Sequence, residues 1–126
     1  MSKIHEFSTA IYPRRLWITR GMTGLEMKDM FKEPEGDELK LNLYDCDAFA
    51  YNVRKKHTSE LGILIWFDNI SAMTTSNIAH ESVHAAMEIF NDLDCKFDAN
   101  NQEPLAYLVG WIADCIDQVK RNKFKI

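Results

Sequence analysis

Apolar positions in this chain fall into two rhythms. From Ala48 to Lys56 they alternate, with Phe49, Tyr51 and Val53 on one face, which is the period of a half-buried strand. Leu61 to Phe67 (Leu-Gly-Ile-Leu-Ile-Trp-Phe) is apolar throughout and of strand length. The polar Lys55-Lys56-His57-Thr58-Ser59-Glu60 between the two makes a hairpin loop. Upstream, residues 10–20 read as a first strand centred on Leu16, Trp17 and Ile18. Pro13 pushes its paired part beyond the proline or onto an edge. Thr23-Gly24-Leu25-Glu26 is a capping box that opens a helix running to about Phe31 or Lys32, burying Leu25, Met27 and Met30. Pro34 and Gly36 end it.

The second rhythm is helical and governs the C-terminal half. Thr74, Thr75 or Ser76 caps a segment whose apolar face is Ile78, Ala79, Val83, Ala86, Met87 and Phe90. A polar connection, 91–101, follows. Asn100 or Asn101 then caps a last helix with Pro104 in its first turn, ending near Lys120 or Arg121. Leu105, Leu108, Val109, Ile112, Cys115, Ile116 and Val119 are its apolar side, and Lys120, Arg121, Lys123 and Lys125 complement its C-terminal dipole. Together these elements predict a single α+β domain over residues 1–126: a small antiparallel sheet, then two long helices.

Composition narrows the function classes. The 126 residues are 46% hydrophobic and 27% charged, as in an ordinary globular protein. A net charge of −4 argues against nucleic acid as partner. No apolar run approaches the roughly 20 residues of a membrane span. The N-terminus shows no secretory signal, and Cys46, Cys95 and Cys115 are odd in number and far apart, so a cytoplasmic protein with reduced thiols is expected. The acidic stretch from Glu26 to Asp47 reads as a solvated connection, and His57 as a solvated loop residue.

The chemistry concentrates in His80-Glu81-Ser82-Val83-His84. On a helix these two histidines stand one turn apart, roughly 6 Å along the axis, and can share one zinc ion. Glu81 lies about 100° round the helix from His80, where a carboxylate can take a proton from water activated by the metal. Without a metal, two histidines and a glutamate on a buried helix are costly. A catalytic zinc usually takes three protein ligands. Downstream of His84 the candidates are Glu88, Asp92, Asp94, Cys95, Asp98 and Glu103. Glu88 is on the histidine stripe but one turn further on, whereas Glu103 opens a helix after a loop that lets the chain reverse. Tyr107, Gly110 and Asp114 share the helical face of Glu103.

His80-Glu81-x-x-His84 followed by Glu103 resembles the gluzincin branch of the zincin metallopeptidases. The resemblance covers about residues 61–110. It implies a zincin-like fold, Zn2+ held by His80, His84 and Glu103, and Glu81 as general base and acid in hydrolysis of a peptide or protein substrate. It also makes Leu61–Phe67 the edge strand that aligns the substrate. Tyr107 is the first choice for an oxyanion donor, although many gluzincins carry an acidic residue at that position. The larger families have a second domain, so the resemblance is to a minimal zincin of the size found among small bacterial and phage proteins. Two alternatives stand beside the peptidase. One is a zincin-fold zinc-binding interaction protein without hydrolysis. The other is a deformylase-like zinc amidase with Cys46 in place of Glu103.

Overall fold

A computed structural model describes residues 3–41 and 46–123. The elements in order are β1 (Ile4–Ser8), β2 (Arg15–Arg20), α1 (Gly24–Met30), β3 (Phe31–Lys32), β4 (Ala48–Lys55), β5 (Leu61–Phe67), α2 (Thr75–Asp92) and α3 (Glu103–Arg121). The strands form one five-stranded sheet in the order β1-β2-β5-β4-β3. The architecture is α+β, as the periodicities imply, but the sheet is mixed. β2 and β5 run parallel, with Arg15 opposite Gly62 and Arg20 opposite Phe67, while the other pairs are antiparallel.

That parallel pair corrects two expectations. The sheet is not purely antiparallel, and Leu61–Phe67 is not an edge strand, because β5 lies between β2 and β4. Its unbroken apolar run has a direct cause: six of its seven residues are buried, since both faces of the sheet are covered. The edges belong to β1 and β3, which the hydrophobic pattern does not disclose. β1 (Ile-His-Glu-Phe-Ser) is short and mostly polar, as suits an edge. The first strand is shorter than residues 10–20: a turn occupies the start of that stretch, with Ala10 at φ 57°. Thr9 Oγ1 secures it, donating to the Tyr12 carbonyl and accepting from the Tyr12 amide.

One core lies between the sheet and the two long helices. Leu16 and Ile18 of β2 and Ile63, Ile65 and Phe67 of β5 meet Ala85, Ala86 and Ile89 of α2 and Ile112, Ile116 and Val119 of α3. The opposite face carries Trp17, Met27, Phe31, Leu39, Val53, Leu64 and Trp66, with Phe49 and Tyr51 packed on them. Phe49, Tyr51 and Val53 therefore share a face, as their alternation requires.

The helix α1 has its capping box: the Glu26 amide donates to Thr23 Oγ1 at 3.1 Å and the Thr23 amide to Glu26 Oε1 at 2.9 Å. It ends at Met30, before the residues expected, because Phe31 turns into β3 and pairs with Lys55. Met27 is its buried residue, and Leu25 is 78% exposed, against expectation. The start of α3 also differs. Gln102 occupies the N-cap position without a side-chain bond, and Asn101 is instead engaged in a turn with Asp98. Among the described residues no helix is long and apolar enough to cross a membrane.

Candidate metal centre

The helix α2 is fixed at its start by three side-chain bonds. Thr74 Oγ1 accepts from the Asn77 amide at 3.1 Å, and Asn77 Nδ2 donates to the Ala72 carbonyl at 2.8 Å. Asn69 Oδ1 accepts from the Ala72 amide, closing the short 3-10 turn Ile70–Ala72 that follows β5. These bonds tie the first turn of α2 to the end of the central strand, and Ala85, Ala86 and Ile89 hold its inner face on the core.

The inner face is not the one the apolar count suggests. Glu81, Ser82, Ala85, Ala86, Ile89 and Phe90 are buried, while Ala79, Val83 and Met87 are exposed. The displacement has a physical consequence: the outward face of α2 carries both apolar residues and the two histidines.

His80 and His84 are exposed, with ring centroids 4.7 Å apart at 72° and their Nε2 atoms 3.1 Å apart. Two nitrogens each about 2.0–2.1 Å from one zinc at a tetrahedral angle stand about 3.3 Å apart. The pair therefore fits two adjacent positions of a zinc ion. The same approach also suits a hydrogen bond between one protonated and one bare ring nitrogen. The surface around the pair is an open groove of about 480 Å³ lined by Ser76, Ala79, His80, Val83 and His84, all from α2.

Glu81 sits on the inner side, 6% exposed. Burial pushes its carboxyl above the usual carboxylate range, and the neighbouring His80 and His84 pull it part of the way back. The motif thus divides into two outward imidazoles and one inward carboxyl.

The other expected site residues stand elsewhere. Glu103 is exposed at the first position of α3. Tyr107 is 75% exposed and lines a separate apolar groove of about 580 Å³ with Thr9, Ile11, Tyr12, Leu108 and Trp111. Among the described residues no group of three or more His, Cys, Asp or Glu side chains is placed to hold a metal, so Glu103 does not join the histidine pair. Asp92 pairs with Arg14 at 3.3 Å, and Asp98 Oδ1 accepts the Asn100 amide at 2.9 Å. Cys46 packs with the cluster on the opposite face of the sheet from α2, which separates it from the pair. His57 is exposed in the β4–β5 loop.

Two features escaped the sequence reading. The acidic stretch is not simply solvated: Glu33 is 8% exposed and accepts from the Tyr51 hydroxyl at 2.8 and 2.9 Å and from the Lys40 amide at 3.0 Å. Asp45 of that stretch lies outside the described residues. The second feature is Glu88, whose Oε2 accepts from Asn52 Nδ2 on β4 at 2.7 Å. The alternation of β4 puts Asn52 on the helix-facing side, and that polar residue among alanines was the available signal.

The chain matches no protein-family model, no curated protein and no solved structure. Its site therefore stands on its own geometry.

Proposed function

We propose that this chain is a zinc-dependent metallopeptidase whose metal is held by His80 and His84, with Glu81 moving the proton in hydrolysis. The observation that carries the reading is the 3.1 Å approach of the two Nε2 atoms on an exposed helix face, with Glu81 beside them in sequence. A zinc ion held by His80 and His84 would supply Lewis acidity toward water and toward a substrate carbonyl. The imidazoles bind and orient. Glu81, whose carboxyl lies on the inner side of α2, would have to turn toward the pair to take a proton from the water and pass it to the leaving amine. Its raised affinity for a proton suits a group that must carry one between two steps. The zincin resemblance gives the third position to Glu103 and an oxyanion contact to Tyr107. Since neither stands beside the pair in this structure, the reading rests on His80, Glu81 and His84.

The experiment is hydrolysis of a mixed peptide library by zinc-loaded parent and Glu81→Gln proteins. The parent cleaves, and Glu81→Gln keeps its zinc and loses cleavage. Equal cleavage by both overturns the role of Glu81.

A second reading has its own observation. Val83 (47% exposed) and Met87 (39%) flank the pair, and the groove is walled by α2 alone. An open apolar face with two metal ligands suits a zinc-binding interaction protein without hydrolysis. Zinc binding with no cleavage of any peptide by the parent selects it.

A further inference from the structure

We draw no further inference here: the strongest candidate, the apolar groove between the β1–β2 turn and the first half of α3, walled by Ile11, Tyr12, Tyr107 and Trp111, carries none because nothing in the structure shows what covers it.

Discussion

Gly62 and Trp17 touch so closely that a Cβ on Gly62 would stand 2.6 Å from Trp17 Cζ3 and 2.3 Å from the Arg15 carbonyl oxygen. The contact lies where β5 and β2 pair in parallel, and the carbonyl cannot retreat without breaking the register of Arg15 with Gly62. Gly62→Ala should lower stability by about 1–3 kcal/mol, toward the upper end because backbone and not a flexible side chain obstructs the methyl group. Urea unfolding checks it. A parent-like midpoint would mean that the two strands are not in this register.

The capping box of α1 makes a second prediction. Thr23→Ala should cost about 1 kcal/mol, the usual loss of such a cap. The Glu26 carboxyl is held below its ordinary value by the Thr23 backbone amide and then by Lys3. A depressed carboxyl stabilises the fold above its unfolded value, near 4.5, and that contribution is lost as pH falls through the folded value. The acid limb of the stability curve should therefore be shallower in Glu26→Gln than in the parent. Identical acid limbs would remove Glu26 from the cap.

Tyr51 and Glu33 show how an acidic residue can be built into a fold. Burial, then the bond to Glu33, pushes the Tyr51 phenol up from 10.0 to about 12. A raised phenol stabilises the fold below its unfolded value, and the contribution disappears as pH rises from about 10 to about 12. Tyr51→Phe should remove that alkaline loss. At neutral pH it should also destabilise by about 1–3 kcal/mol, since Glu33 is left with the Lys40 amide alone. Equal slopes above pH 10 in parent and variant would contradict the assignment.

The sequence made the central hairpin, the capping box, α2 and α3 legible because each has a local cause: alternation, a side-chain cap or a 3.6-residue period. β1 and β3 were not legible, because edge strands are short and carry little hydrophobic signal. The place of β5 inside the sheet depends on the long-range parallel pairing with β2, which leaves no local mark. The rotation of α2 leaves no local mark for a similar reason. Val83 and Met87 are as apolar as Ile89, and only the packing of α3 and the sheet decides which of them is covered. The same rotation sends His80 and His84 outward and Glu81 inward. The motif was visible at once in the chain, and the separation of its three side chains into two environments was visible only in the fold.

The central claim is that His80 and His84 together hold a metal ion, and zinc titration of chelator-stripped protein by calorimetry tests it most directly. The parent should bind one zinc per chain, and His80→Ala and His84→Ala should each abolish saturable binding. His57→Ala and Cys95→Ser, both at exposed positions away from the pair, should bind as the parent does. Absence of zinc binding by the parent, or parent-like affinity in His84→Ala, would contradict the account.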